Sequence, residues 1–492
     1  MRGATGTTGC GRRDDGKLIV ATLVRPVPSP PARHRLPTAL VVVADGARPD
    51  VLAAAIDSGR CPALAALRDI DGARVLTSVF PSVTGPAYAP FLTGRFPGEV
   101  GLPALRWFDR SRTRAAWPHH ARSYVGWEMQ HVDGDLDPSV PTAFERAGGG
   151  LAMMNMIGRG LRARDKLTDG PRFALRAGWT HFRGDVAGWL DVDRALARRM
   201  RARIAAERPP FVFASFCGVD KVSHLATHAS PLVHDALAIV DDFVAGVRDD
   251  FARAGRAHEL ATYVVSDHGH VPVQGHDDLA DVLRAAGHRV LAHPKVLVRD
   301  PEVAVMVSGN AMAHLSMALT SRTRPGWSAL RDRWRPLVDF LLARPSVDLL
   351  ALPHDARTVE VHGGVGRGMA MLVRHDDATL SYRPETGDPL ALGPLERVGD
   401  DDAWAAALDT DWPDAPVQLL SLAASPRCGD VLLSATRDWD FRGRFEPIPH
   451  RSSHGALHRD HMLVPFLTDR PVRRPMRRTT EVFDEAMAFL GR

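Results

Sequence analysis

The sequence predicts an α/β protein in which a doubly wound, mostly parallel sheet is flanked by helices. Three continuous apolar runs carry this prediction: Thr38–Ala44, Phe211–Phe216 and Leu260–Val265. Such runs are typical of strands that are buried on both faces of a parallel sheet. Segments with helical periodicity lie between them, the longest at residues 231–251. Alternation of strands and helices favours the doubly wound architecture.

The remaining elements follow in chain order. Helices are predicted at 49–58 and from 62, at 231–251, 327–343 and 480–490, and strands at 38–44, 74–80, 151–156, 211–216, 260–265 and 430–434. From about residue 303 the pattern changes to short strands, at 304–308, 358–361, 369–373 and 379–382. We therefore expect a disordered leader at 1–36, a catalytic core at 37–300, a small α+β cap insertion at 301–400, and the rest of the core at 401–492.

Composition excludes several classes of protein. In 492 residues, 45% are hydrophobic and 24% charged, which is ordinary for a globular chain. The net charge of +4 gives no argument for nucleic-acid binding. No apolar run approaches the roughly 18 residues of a membrane span. The four cysteines form no C-x-x-C pair, which favours a reducing compartment and a cytoplasmic protein over a secreted or periplasmic one.

Polar residues of one chemical kind recur just beyond the predicted strands. They are Asp45, Thr84, Asp220, His224, Asp267, His268 and His454. In an open α/β sheet, ligands bind beyond the carboxyl ends of the strands, so we expect these residues to meet there.

Each of these residues also has an ordinary structural explanation. Asp45 and Thr84 could cap helices, and Asp267-His268 could be a polar strand end. The four-residue spacing of Asp220 and His224 places both on one helix face, which suits a shared metal ion. One dinuclear site explains the whole set. Three carboxylates and three imidazoles divide between two divalent ions, for which zinc is the best fit, with manganese or iron as alternatives.

The sequence resembles the alkaline phosphatase superfamily, and within it the type I phosphodiesterase/nucleotide pyrophosphatase family. The matching segments are VVVADGARPD from Val41, FPSVTGPAYAPFLTGRFPGEVG from Phe80, GVDKVSH from Gly218, VVSDHG from Val264 and SSHGALHRDHMLVPF from Ser452. The resemblance implies that Asp220, His224 and His454 hold one zinc. It implies that Asp45, Asp267 and His268 hold the other, with Thr84 as an additional ligand and as the nucleophile.

The sequence departs from the family pattern at two positions near Thr84. An aromatic residue that would stack on a nucleobase is replaced by Gly85, and an Asn that would donate to a phosphoryl oxygen is replaced by Ala87. Nucleotide specificity is therefore not implied. Lys221 could supply positive charge in place of that Asn. Gly85, Lys221 and Trp107 are the predicted substrate-binding positions, with His119 and His120 as weaker candidates.

The resemblance implies a two-zinc hydrolase that cleaves phosphodiester or phosphoanhydride bonds of a small phosphorylated substrate through a phosphothreonine intermediate. A phosphomonoesterase and a phosphonoacetate hydrolase-like enzyme that cleaves a C–P bond are the alternatives. A non-enzymatic binding protein is disfavoured, because every ligand position is filled.

Overall fold

The computed structural model describes residues 10–11, 19–20, 37–168, 171–443 and 450–492. Residues Pro37–Arg492 form one compact unit. In the separate unit Met1–Leu36, Cys10–Gly11 pairs antiparallel with Ile19–Val20. The rest of the predicted leader lies outside the described residues.

Two sheets organise the described part of residues 37–492, one with six strands and one with nine. Their strands are β1 Thr38–Ala44, β2 Arg74–Thr77, β3 Leu151–Met153, β4 Phe211–Phe216, β5 Leu260–Val265, β6 Val290–Leu291, β7 Val303–Ser308, β8 Met312–Ser316, β9 Val347–Pro353, β10 Thr358–Gly363, β11 Gly368–Arg374, β12 Leu380–Gly387, β13 Leu395–Val398, β14 Val431–Ala435 and β15 Leu463–Thr468.

The central sheet has six strands in the order β2-β15-β5-β1-β4-β3. Strand β1 pairs in parallel with β4 and β5, and β3 in parallel with β4, whereas β15 runs antiparallel to both of its neighbours. The predicted mostly parallel sheet is therefore confirmed. The strands β1, β4 and β5 are buried along their whole length, as their continuous apolar sequences require.

Helices cover both faces of this sheet, and further helices pack on the second sheet. Within the described residues they are α1 Pro49–Asp57, α2 Pro62–Asp71, α3 Ala89–Thr93, α4 Val132–Asp135, α5 Ala143–Ala147, α6 Pro171–Phe182, α7 Val186–Glu207, α8 Gly218–Ala226, α9 Pro231–Arg253, α10 Leu279–Ala285, α11 Trp327–Leu342, α12 Asp400–Ala407, α13 Ala415–Ala424, α14 Arg459–Met462 and α15 Thr480–Phe489. None of them is long and apolar enough to cross a membrane.

Side chains of β1 point alternately into two apolar cores. Leu40 and Val42 pack in one core with α7 and α9, while Val41 and Val43 pack in the other with α3 and α15. The period of two along a strand produces this division. Burial on both faces fixes the register of β1, and with it the position of the residue that follows the strand.

The nine-stranded second sheet has the order β6-β7-β8-β14-β9-β10-β11-β12-β13 and is antiparallel except for the β6–β7 pair. The predicted cap is thus present, but it is larger than expected. Strand β14 lies between β8 and β9 in the second sheet, and not in the 401–492 part of the core where it was predicted. The apolar pattern of β14 is the same for either sheet, so only long-range pairing decides which sheet it joins.

Candidate active site

A histidine-rich cluster consists of Asp220, His224, His270 and His454, all buried, with one ligand atom of each within 4.8 Å of the others. Asp220 and His224 lie one turn apart on α8, which follows β4, and His224 Nε2 is 3.1 Å from Asp220 Oδ1. The two other histidines come from distant segments. A short antiparallel ladder, Val271–Pro272 with Ser452–Ser453, joins those segments and brings His270 and His454 together.

A carboxylate-rich cluster consists of Asp45, Asp267 and His268, also buried. Asp45 follows β1, and the other two follow its parallel neighbour β5. The Thr84 hydroxyl lies beside this cluster, 3.2 Å from Asp45 Oδ1 and 3.1 Å from His268 Nε2. The geometry therefore groups these residues in the way that the resemblance implied.

The two clusters adjoin each other. The rings of His268 and His454 stack with their centroids 3.7 Å apart and their planes within 7°. His454 also forms an isolated β-bridge with Asn310, and its carbonyl accepts from Ala311 N at 3.1 Å. The residues that lead into β8 of the second sheet therefore support the backbone at His454. Both sheets thus contribute to one site.

Hydrogen bonds orient the histidines in a way that suits metal ligation. Backbone carbonyls of Ser452, Ser82 and Gly269 accept from the Nδ1–H groups of His224, His454 and His268, at 2.8, 3.0 and 3.1 Å. In the neutral form, each of these rings carries its lone pair on Nε2. In His268 this nitrogen lies 3.4 Å from both Asp45 Oδ1 and Asp267 Oδ2, and the latter oxygen has no hydrogen-bond partner. Converging nitrogen and carboxylate lone pairs of this kind fit a divalent cation.

The carboxyl groups of the site differ in acidity. Burial, together with the neighbouring carboxylates Asp267 and Asp220, raises the pKa of Asp45 well above its usual range, and burial raises the pKa of Asp267 to about 7. Burial also opposes ionisation of Asp220, but the Lys221 ammonium and the His224 imidazole lower its pKa well below the usual range. The carboxyl groups of the carboxylate-rich cluster are therefore weaker acids than the carboxyl group of the histidine-rich cluster.

Several supporting residues were not predicted from the sequence. Tyr88 donates its hydroxyl proton to Asp45 Oδ2 at 2.8 Å, and its oxygen lies 2.6 Å from Ser215 Oγ. Gly46 N donates to Asp267 Oδ1 at 3.2 Å. A tyrosine one helical turn after Thr84 is a weak sequence signal, because buried tyrosines are common in cores. His270 was also missed, and the D-H-G-H spelling of 267–270 is the signal that could have identified it.

Gly269 lies where two segments of the chain approach each other closely. A Cβ atom at this position would clash with the carbonyl oxygen of Asp460, and the Gly269 N–H donates to His461 O at 2.9 Å. Close approach of the α14 backbone, at the start of β15, thus requires glycine here.

The predicted substrate-binding residues have unequal surroundings. Lys221 Nζ lies 2.7 Å from Asp220 Oδ2, so its charge is paired with a residue of the histidine-rich cluster. Gly85 has φ +99°, and a Cβ there would be 3.0 Å from the Met156 side chain, which occupies this space. Trp107 is fully buried, packed on Tyr124 with ring centroids 4.7 Å apart. This packing gives the predicted role of Trp107 in substrate binding no support.

The weaker candidates His119 and His120 lie on the 102–130 segment. His119 Nε2 is 3.4 Å from Glu128 Oε1, and the His120 ring packs against Phe108 at 5.0 Å. Both rings thus have partners within their own segment, and a role in the site stays a prediction.

Comparison with known proteins decides the family. Residues 39–333 match the type I phosphodiesterase / nucleotide pyrophosphatase family. The chain belongs to this family. It is therefore a metal-dependent phosphoric ester hydrolase of the alkaline phosphatase superfamily. No curated protein sequence gives a significant match.

Solved structures share the fold at low sequence identity. Phosphonoacetate hydrolase from Sinorhizobium meliloti 1021, in complex with phosphonoacetate, superposes with a TM-score of 0.55 at 17% identity, covering 93% of this chain and 96% of that one. Murine ectonucleotide pyrophosphatase / phosphodiesterase 5 gives a TM-score of 0.52 at 14% identity, covering 92% and 95%. The human counterpart gives 0.53 at 13% identity, covering 92% and 94%. The alkaline phosphatase-like fold is thus shared across almost the whole length.

Proposed function

We propose that the protein is a two-zinc hydrolase in which Thr84 is the nucleophile and phosphodiesters or phosphoanhydrides of small molecules are the substrates. The observation that carries the proposal is the position of Thr84 Oγ1, 3.2 Å from Asp45 Oδ1 and 3.1 Å from His268 Nε2. Among the described residues, only the Thr84 hydroxyl lies within hydrogen-bond distance of both a carboxylate and an imidazole of this cluster. Asp220, His224 and His454 would hold one ion, and Asp45, Asp267, His268 and Thr84 the other.

When bound, two divalent ions supply positive charge that lowers the pKa of the threonine hydroxyl and of water and neutralises the phosphoryl oxygens. Thr84 Oγ1 gives up its proton to solvent and attacks phosphorus in line, and the bond between phosphorus and the leaving group breaks on the opposite side. Water then attacks the phosphorus of phosphothreonine with loss of a proton, the bond between phosphorus and Oγ1 breaks, and Oγ1 takes up a proton again as the product leaves. The Tyr88 hydrogen bond holds the Asp45 carboxylate towards Thr84 through these steps.

Replacing Thr84 tests this assignment. Thr84→Ala is expected to abolish turnover of an aryl phosphodiester, by a factor of about 10³ or more, because no other hydroxyl replaces the nucleophile. Metal analysis is expected to find two ions in both proteins. Thr84→Ser keeps a hydroxyl and serves as the control, and acid quenching of that variant and of the wild type should trap a phosphorylated residue 84. Undiminished turnover by Thr84→Ala would refute the nucleophile assignment.

A second candidate function is C–P bond hydrolysis of a phosphonate. The Met156 side chain fills the space beside Gly85 where the family pattern has a base-stacking aromatic, which argues against a nucleotide. Phosphonoacetate hydrolase is among the proteins with this fold. Nucleotides, aryl phosphate monoesters and diesters, and phosphonates compared side by side would separate the possibilities. Phosphonate turnover above that of every ester would favour the second candidate.

A further inference from the structure

Helix α6 carries apolar side chains on two opposite faces. Phe173 and Ala177 form the inner face, which packs against the apolar core that α7 and α9 share. Leu175, Trp179 and Phe182 form the outer face and are 76%, 65% and 69% exposed. Their spacing of four and three residues places them in one row along the helix, on the side away from the core. These three side chains are called the α6 stripe below.

The α6 stripe is unusual for a helix face in contact with water. Single exposed apolar side chains are common on protein surfaces and need no explanation. Three of them at helical spacing present a continuous apolar surface with an indole and a phenyl ring, and hydration of such a surface is unfavourable. Tryptophan, phenylalanine and leucine on one face are typical of helices that lie in a membrane interface.

The formal charges of this helix have one sign. Residues 171–183 include three arginines and no acidic residue. Arg176 and Arg183 are exposed, and their helical spacing places both along the same flank of the stripe. The Arg183 guanidinium lies over the Trp179 ring, 5.3 Å from its centroid. An anionic membrane surface complements this arrangement, because guanidinium groups pair with phosphate while apolar side chains enter the layer beneath.

A second copy of the chain is a poorer partner for the α6 stripe. In a two-fold contact the stripe would meet its own counterpart, so the exposed arginines of one molecule would face those of the other. Like charges that are brought together in an interface oppose association. Anionic lipids carry the opposite charge and avoid this repulsion.

We propose that helix α6 docks the protein on anionic membrane surfaces, with the α6 stripe inserted among the lipids and Arg176 and Arg183 bound to headgroup phosphates. The helix also borders the metal site. His181 lies on the flank away from the arginines, where burial and the nearby charges of Lys221 and His224 lower its pKa to about 4. A protein docked in this way holds its metal site close to the lipid headgroups. The docking does not depend on the nucleophile or on bound metal.

Flotation with lipid vesicles tests the docking. The full-length protein is expected to bind vesicles of phosphatidylcholine that contain about one third phosphatidylglycerol, and to bind at least about tenfold more weakly to pure phosphatidylcholine. Leu175→Ser, Trp179→Ser and Phe182→Ser combined should weaken binding to the anionic vesicles by a factor of about 100 or more, since three inserted apolar side chains are lost. Arg176→Gln and Arg183→Gln combined should weaken it by about tenfold and reduce its dependence on salt.

The matched control combines Leu297→Ser and Val365→Ser, which replace apolar side chains that are equally exposed outside α6. This variant should bind the anionic vesicles as the wild type does. All of these positions are exposed, so the variants should unfold at the wild-type temperature.

Sedimentation velocity without lipid tests the second copy as the partner. A wild-type dimer that the triple serine variant converts to a monomer, without binding of the wild type to anionic vesicles, would overturn the proposal in favour of self-association. Absence of vesicle binding by the wild type, or equal vesicle binding by the wild type and the triple serine variant, would overturn it as well. Each of these results would leave the proposed function standing.

Discussion

The charge around Asp220 differs from the charge around Asp267, although both carboxylates are buried in one site. Lys221 Nζ lies 2.7 Å from Asp220 and lowers the pKa of that carboxyl. Among the described residues, no lysine or arginine pairs with Asp267, and burial raises its pKa to about 7. Metal ions compete with protons for these carboxylate oxygens. Because the two carboxyl groups differ in pKa, we expect the metal affinities of the two clusters to depend on pH over different ranges.

Acidification is therefore expected to remove the metal of the carboxylate-rich cluster first. As the pH falls through about 7, Asp267 takes up a proton, and the raised pKa of Asp45 acts in the same direction, so affinity there should fall by about tenfold per pH unit. In the other cluster, burial lowers the pKa of His270 to about 3 and that of His454 well below its usual range, so these rings stay unprotonated. After equilibration, the protein should hold two metal ions at about pH 8 and one at about pH 5.5. Simultaneous loss of both ions would contradict this order.

The sequence predicted the residues of the site better than the contacts between them. Asp45, Asp220 and Asp267 stand directly after buried apolar runs, a pattern that local sequence carries. Gly269 and His270 follow in the same segment, but their importance depends on Asp460 and Ser452, which are about 180 to 190 positions further along the chain. Such long-range neighbours leave no local periodicity, so these roles could not be predicted from the sequence.

At the scale of elements, helix α13 supports the segment that leads to Thr84. Gln418 on this helix is buried, accepts from Phe80 N at 2.8 Å and donates to Ser78 O at 3.2 Å. Its amide also donates to Asp414 Oδ2 at 2.7 Å, and Arg478 pairs with the same carboxylate at 2.8 Å. Because helix α13 packs with strands of the second sheet, it fixes the nucleophile segment relative to that sheet.

Gln418→Ala is expected to disturb this segment without touching a metal ligand. Phe80 N–H and Ser78 C=O lose their partners in the interior, which costs about 1–3 kcal/mol of folding free energy for each unsatisfied group. A shift of Thr84 by about 1 Å would reduce kcat by up to about 100-fold. Turnover, thermal unfolding and metal content measure these effects, with two bound ions expected to remain. Gln130→Ala, at an exposed position, is the control. Full activity of Gln418→Ala would show that the segment holds its position without the glutamine.

Elements themselves were predicted with different success in the two sheets. The predicted strands of the central sheet and the helix from Pro231 are present, since continuous apolar runs and helical periodicity are local signals. The 22-residue helix α7 was absent from the prediction although Leu196, Met200 and Ile204 form a buried stripe on it, because five arginines lie among its apolar residues and obscure their periodicity. Pairing of β14 between β8 and β9 joins segments more than 75 residues apart, which no local pattern reveals.

At the scale of the whole molecule, the metal ligands connect distant parts of the chain. Asp45 and His454 are separated by most of the sequence, and the second sheet lies between them along the chain. The ligands converge only when the central sheet has formed and the Ser452–Ser453 strand has paired with Val271–Pro272. An unfolded chain does not hold this arrangement, so metal binding is coupled to folding of the compact unit Pro37–Arg492.

Removing the metals is therefore expected to destabilise the whole fold. A ligand that binds only the folded chain adds about 2.7 kcal/mol of stability at a free concentration of 100 Kd and about 4.1 kcal/mol at 1,000 Kd. At about pH 8, where Asp267 is ionised in the folded chain, chelation should lower the unfolding temperature by several degrees, and added zinc should restore it. Asp45→Asn, which removes a ligand from the carboxylate-rich cluster, should reduce the zinc-dependent shift, whereas Asp376→Asn, at an exposed turn of the second sheet, should retain all of it. Calorimetric scans of the three proteins with and without zinc measure the shift. Equal unfolding temperatures for metal-free and zinc-loaded wild type would show that metal binding does not stabilise the fold, and would contradict this coupling.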